Sequence, residues 1–168
     1  QIKLYGAGRT DRGVHASGQV VSAILPFVIP EDNLLKALNS LLSNDILCLD
    51  CLYVNDSFHA LHSAKSRSYR YLFSSDRSTL GLSAFVYFSN FSVCLDTFDL
   101  IKPFFLGQHD FTAFQSTGSS TSSTVKTVEL FDLSMISLVC PLTFRDVSVY
   151  QFQIKANSFL YKMVRNIL

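Results

Sequence analysis

A chain of 168 residues with 48% hydrophobic content can fill the core of one ordinary domain or of two small, closely packed ones, which excludes a disordered chain. A net charge of +1 excludes a polycation that coats nucleic acid indiscriminately, so any grip on RNA must come from a locally basic cleft or an oligomer's combined surface. No uninterrupted apolar run approaches the roughly 18 residues that cross a bilayer, and no basic-then-apolar leader opens the chain, so a soluble, untargeted protein is expected.

In chain order, Gln1 to Gly18 is rich in Gly and charge and reads as a loop. Gln19 to Val28, with Val20, Val21, Ile24, Leu25, Phe27 and Val28, reads as a largely buried strand. After Pro30, Leu34, Leu35, Leu38, Leu41 and Leu42 recur at helical spacing behind the acidic pair Glu31 and Asp32, which predicts a helix over 31–42. Ile46 to Val54 is short, apolar and flanked by turn residues, which completes an expected strand-helix-strand unit. Lys65 to Phe73 alternates, with Arg67, Tyr69, Tyr71 and Phe73 on one face and Ser68, Arg70 and Leu72 on the other.

Further strands are expected over Ala84 to Phe88, Val125 to Met135 and Asp146 to Ala156. Asp96 is placed as the cap of a helix running toward Gly107 that Pro103 shortens or kinks, and Ser116 to Thr124 as an exposed loop. Asn157 is placed as the cap of a last helix whose stripe is Phe159, Leu160, Met163, Val164 and Ile167, with Lys162 and Arg165 opposite. Gln1 opens directly into a motif and Leu168 falls inside that helix with no stop signal, so a truncated protein is expected. Two mixtures of strands and helices meet near residues 55–58. The expected fold is α+β, with RNA-recognition-like (ferredoxin-like) subdomains at 1–56 and 57–168 sharing a mostly antiparallel sheet.

The segment Gly6-Ala7-Gly8-Arg9-Thr10-Asp11-Arg12-Gly13-Val14-His15-Ala16 gathers three Gly around one carboxylate, which permits tight bends and close approach of a large ligand. By residue type alone it fits equally a hairpin in which Asp11 caps a turn. It is no Walker phosphate loop, since the Gly-Lys-Ser/Thr ending is missing. Cys48-x-x-Cys51 and His59-x-x-His62 suggest zinc, but their separation is short for a finger and a strand would turn the two Cys to opposite faces, so packing is the expectation. Four Cys at irregular spacing, at positions 48, 51, 94 and 140, fit reduced thiols in a cytoplasmic compartment.

The Gly6–Ala16 stretch resembles the signature around the catalytic aspartate of the TruA family of tRNA pseudouridine synthases. Three further blocks follow in that family's order: Phe58-His59-Ala60 through Ser66-Arg67-Ser68-Tyr69-Arg70-Tyr71, then Gly107-Gln108-His109-Asp110-Phe111-Thr112-Ala113-Phe114, then Asn157-Ser158-Phe159-Leu160 leading to Met163-Val164-Arg165-Asn166. The resemblance spans nearly the whole chain and implies the pseudouridine synthase fold. It implies an isomerase that breaks the N-glycosidic bond of uridine, rotates the uracil and rejoins its C5 to the ribose, with no metal or redox cofactor.

The same resemblance makes Asp11 the essential carboxylate, which attacks the uracil ring or assists cleavage at the ribose. Arg165 becomes its cationic partner and Tyr69 the ring that stacks on the target base. Arg9 engages phosphate and helps extrude the nucleotide, and His15 joins the substrate-contacting set; Arg67 and Arg70, also placed in that set, are with Lys155 and Lys162 the weaker candidates for an RNA track. Tyr71 is expected to serve packing. Uridines 38, 39 and 40 of the tRNA anticodon stem-loop are the implied targets, and a homodimer the implied assembly, with neither DNA nor membrane as partner. Three residues depart from the family pattern: Arg12 where a small residue is common, Leu61 where a basic one is common, and Lys126 in place of Arg. A noncatalytic RNA-binding module of the same fold is the competing reading, told apart by binding without conversion.

Overall fold

A computed structural model describes residues 2–118 and 123–168. Part of the expected Ser/Thr-rich loop, residues 119–122, lies outside the described residues. The chain divides into two compact units, Gln1–Ala64 and Lys65–Leu168. Residues 58–63, assigned from sequence to the second subdomain, are tied into the first unit: Ala60 N donates to Ser22 Oγ at 3.1 Å, and the Tyr5 and His59 rings lie 4.8 Å apart.

In the first unit, β1 (Leu4–Gly6) pairs antiparallel with β2 (Val21–Ala23) in the register Leu4↔Ala23 to Gly6↔Val21, and α1 (Glu31–Leu41) follows. The predicted helix stands one residue shorter, with Glu31 and Asp32 in its first turn and Leu34, Leu35 and Leu38 as a half-buried stripe. Asn33 and Leu34 donate to the carbonyl of Pro30, which starts the helix without a side-chain cap.

Two predicted strands change here. The ladder of the 19–28 segment covers only Val21–Ala23, and Ile24 and Val28 are 86% and 91% exposed. Ile46 to Val54 forms no strand, so the strand-helix-strand unit is not built. The reason lies in where its backbone donors go. Ile46 N donates to Ser43 O, Cys48 N to Asn39 Oδ1, Cys51 N to Asp50 Oδ1 and Tyr53 N to Glu31 Oε1, so the segment is stitched to α1 and to itself instead of to a neighbouring strand.

The second unit carries a five-stranded sheet in the order β4-β3-β7-β6-β5, built from β3 (Arg67–Ser74), β4 (Val86–Phe88), β5 (Gly107–Asp110), β6 (Val125–Val139) and β7 (Asp146–Ala156). Every pairing is antiparallel except β3 with β4. The α+β class is therefore present with mostly antiparallel strands, which the described residues arrange as two sheets and not as one shared sheet. The long β6–β7 ladder runs from Val139↔Asp146 to Val128↔Ala156, with a bulge between Val128 and Leu130.

One core fills this unit. Phe131, Phe152, Ile154 and Ala156 of the sheet are at most 2% exposed and pack with Phe98 and Phe111, together with Leu160 and Met163 of the tail. Phe131 stacks on Phe105 at 4.3 Å and on Phe98 at 5.2 Å, and meets Phe152 edge-on at 5.2 Å. With no Trp in the chain, these rings supply the large core volumes.

The helix expected from Asp96 toward Gly107 is α2 (Leu95–Ile101), continued by a 3-10 turn at Lys102–Phe104. Its cap residue is Cys94 and Asp96 sits in the first turn; Pro103, which has no N–H to donate, falls where the α-helix ends. The last helix is shorter than expected: α3 spans only Met163–Ile167. Asn157 does not cap it. Its Oδ1 accepts from Thr127 N at 3.1 Å and from Ser158 N at 2.8 Å, fastening the end of β7 to β6, while Lys162 at φ 58° breaks the backbone just before α3. Among the described residues no helix is long and apolar enough to cross a membrane.

Candidate active site

The candidate residues lie on both units. In the first, the loop between β1 and β2 presents Arg9, Asp11, Arg12 and His15, all exposed. Its base is closed by Ala7 N donating to Val20 O at 2.8 Å and Gln19 Nε2 donating to Gly8 O at 2.7 Å. Its tip is a tight turn in which Val14 N donates to the backbone oxygen of Asp11 at 3.1 Å, with Arg12 and Gly13 between. Gly13 adopts φ 80°, the left-handed conformation that the third residue of a type II turn requires.

Nothing lies within 4 Å of a Cβ built on Gly13, so the demand is one of backbone and not of space. Gly13→Ala is therefore expected to strain the turn by about 1–2 kcal/mol. Urea unfolding should show that loss, and Gly13→Asn, whose side chain tolerates this conformation, should recover most of it.

In the second unit, β3 carries Arg67, Tyr69 and Arg70, opposite Ala156, Ile154 and Gln153 of β7 respectively. Tyr69 is half-buried against the core, and its ring meets Phe159 edge-on at 5.1 Å and 81°. Tyr71, expected to serve packing, is 37% exposed, with its ring 6.0 Å from Phe73 and 6.2 Å from Tyr87. Burial first, then Tyr87, push its hydroxyl above the ordinary tyrosine range, and the positive charge of Arg165 pulls it back. The charge of Arg165 therefore reaches Tyr71 on β3. Sequence reading missed this link, whose only prior sign was the two-residue spacing of the tyrosines.

Arg165 itself is exposed on α3, and the buried neighbours Leu160 and Met163 hold that short helix to the core. Asn166 adds a second tie. Its Nδ2 donates to Phe114 O at 2.9 Å and to Ser116 Oγ at 3.1 Å, while Ser116 N donates to Tyr161 O at 3.1 Å. The third and fourth sequence blocks are in this way braced against each other. The third is shaped by Asp110, whose Oδ1 accepts from Thr112 N at 3.0 Å and Thr112 Oγ1 at 2.6 Å; these bonds hold its carboxyl below the ordinary range. Asn166→Ala is expected to cost about 1 kcal/mol in urea unfolding.

The remaining cations differ in what they offer. Lys155 forms an ion pair with Glu129 at 2.7 Å, Lys162 lies 5.3 Å from the Tyr161 ring, and Arg70 is exposed. Lys126 is 7% exposed and faces His109 across β5 and β6. The residues of the zinc reading come closer than expected: without a strand at 46–54, the Cys48 and Cys51 sulfurs approach to 3.5 Å instead of facing apart, and the His59 and His62 rings to 4.4 Å. A shallow concavity of the first unit is lined by Ile2, Lys3, Tyr5, Ile24 and Pro26, none of them a candidate residue.

Comparison with known proteins bears on the whole chain. The family described as tRNA pseudouridine synthase matches residues 104–168. The chain is 38% identical over 170 residues to tRNA pseudouridine synthase A of Prochlorococcus marinus, covering 99% of this chain and 59% of that protein. It is 37% identical over 169 residues to the protein of the same name from Acetivibrio thermocellus, covering 100% and 65%. With the protein of that name from Phytoplasma mali the identity is 43% over 124 residues, 71% of this chain and 48% of the relative. The chain thus spans 59% and 65% of the first two of these relatives. Over that span, through both units and all four motif blocks, the chain is similar to proteins named tRNA pseudouridine synthase A, and its residues 104–168 match the family described as tRNA pseudouridine synthase.

Proposed function

We propose that the complete protein isomerises uridine to pseudouridine in tRNA. What carries this reading is identity along the whole of this chain to relatives named tRNA pseudouridine synthase A. The reaction breaks the bond from uracil nitrogen to ribose carbon and makes a bond from uracil C5 to the same carbon. One hydrogen leaves C5 and one is gained at nitrogen, so composition is unchanged and no oxidant is consumed.

Within this proposal Asp11 supplies the reacting carboxylate, at the uracil ring or at the ribose. The exposed hairpin loop supports that role, since a flipped nucleotide must reach its carboxylate. Tyr69 supplies a ring face for the detached base, and Arg165 offsets the desolvation of the carboxylate when the base closes the site. Arg9, His15, Arg67 and Arg70 contact the RNA. The RNA-recognition-like arrangement of both halves, the homodimer, the cytoplasmic location and the anticodon stem-loop positions 38, 39 and 40 belong to the same proposal.

The test is a position-resolved pseudouridine map of tRNA after treatment with the complete enzyme. Site-specific conversion in the anticodon stem-loop supports the proposal. Binding without conversion would leave a noncatalytic RNA-binding module.

A further inference from the structure

We propose that Cys48 and Cys51 form a thiol–disulfide exchange site, a dithiol that small disulfides such as oxidised glutathione convert to an intramolecular disulfide. The inference is independent of the tRNA reaction.

Three observations meet at this pair. Both cysteines are free, and their sulfurs already lie 3.5 Å apart, against about 2.05 Å in a disulfide, so side-chain rotation alone can supply most of the approach. The segment that carries them is pinned and not floppy. Asn39 of α1 bonds both backbone groups of Cys48, donating to its oxygen at 2.9 Å and accepting from its nitrogen at 2.8 Å, and Tyr53 is held by Glu31 and Ile29. Both thiols are partly exposed, and Leu49, Asp50 and Leu52 around them are exposed, so a tripeptide disulfide can reach them.

The environment also orders the two sulfurs. Burial, followed by the hydrogen bond and charge of Cys48 and the charges of Asp50 and Glu31, pushes the Cys51 thiol up to about 11, which makes it the poorer attacker at neutral pH. The Cys48 thiolate therefore attacks one sulfur of the small disulfide. That S–S bond breaks, one glutathione thiolate leaves, and the Cys48 proton passes to solvent. Cys51 then gives its proton to the departing thiolate and attacks the Cys48 sulfur, which breaks the mixed disulfide and expels the second glutathione thiolate. Two electrons pass from the protein dithiol to the small disulfide, which ends as two thiols.

The experiment uses the full chain carrying Cys94→Ser, because Cys94 is exposed and hydrogen bonding from Thr97 holds its thiol below the ordinary range, making it the competing reactive group. The protein is equilibrated in graded glutathione redox buffers, quenched by alkylation and mapped by peptide mass spectrometry. The expected product joins Cys48 to Cys51, retains no glutathione and is reversed by dithiothreitol. Adding Cys51→Ser should trap one glutathione per chain on Cys48. Adding Cys48→Ser should yield a Cys51 adduct more slowly, since burial, the largest cause of the raised Cys51 thiol, persists in that variant. Mixed disulfides that accumulate on the unsubstituted pair would overturn the proposal, as would thiols still open to alkylation in buffers where the urea-unfolded chain closes the bond. Both of those readouts come from the unsubstituted pair, so neither depends on a variant folding.

Discussion

Asp11→Asn in the complete enzyme is expected to lower pseudouridine formation by at least about 10³-fold while tRNA affinity changes by less than about threefold. The asymmetry follows from what the substitution keeps. The turn at the loop tip closes on the backbone oxygen of Asp11, and Asn supplies the same oxygen to Val14 N. Asn also matches Asp in size, so the exposed loop has no packing to lose. What disappears is the negative charge and with it the nucleophile or the charge that assists bond cleavage. Single-turnover conversion and filter binding, measured on one preparation, separate the two effects. Retained turnover would reject Asp11 as the reacting group; loss of binding in equal measure would make the loop an RNA contact and nothing more.

How much of this was legible in advance depended on the range of the interactions involved. Leu34, Leu35 and Leu38 repeat within one helix, so α1 could be read from spacing alone, and the alternation of Arg67 to Phe73 located β3. Ile46 to Val54 has the composition of a buried strand, but a ladder needs a neighbour, and its donors are taken by Asn39, Asp50, Glu31 and Ser43. Tertiary context overrode a fair local preference there. The end of the chain failed for a similar reason. Asn157 is a good cap by type, yet its oxygen serves Thr127, thirty positions earlier, and no local pattern announces that bond.

The candidate site shows the same division. Gly13 could be recognised as a turn residue because its conformation is a local matter, whereas the bracing of α3 by Phe114 and Ser116 spans about fifty positions and has no local signature. Nor could spacing reveal that the charge of Arg165 reaches Tyr71, since that depends on how the tail folds back over β3. The motif blocks of the second unit make sense together in this light: one supplies rings and cations on a strand, one supplies a cation on a short helix, and the third holds that helix in place.

Arg165→Met should reduce the rate of the chemical step by about 10²-fold, on the scale of losing one preorganised charged donor, whereas Lys162→Met should mainly weaken tRNA binding. The division rests on position. The charge of Arg165 reaches Tyr71 on β3, while Lys162, the left-handed residue that precedes α3, lies 5.3 Å from the Tyr161 ring. Neither substitution touches the buried Leu160 and Met163 that anchor the helix, so unfolding midpoints should stay close to the parent's. Arg165→Lys should recover only part of the loss, because an ammonium lacks the planar fork that grips a carboxylate. Tyr71 offers a readout free of turnover: burial and Tyr87 raise its hydroxyl and Arg165 opposes them, so removing the cation is expected to shift its ionisation further to higher pH, followed by tyrosinate absorbance. Equal kinetic effects of the two substitutions, with an unmoved Tyr71 titration, would make Arg165 one more surface cation.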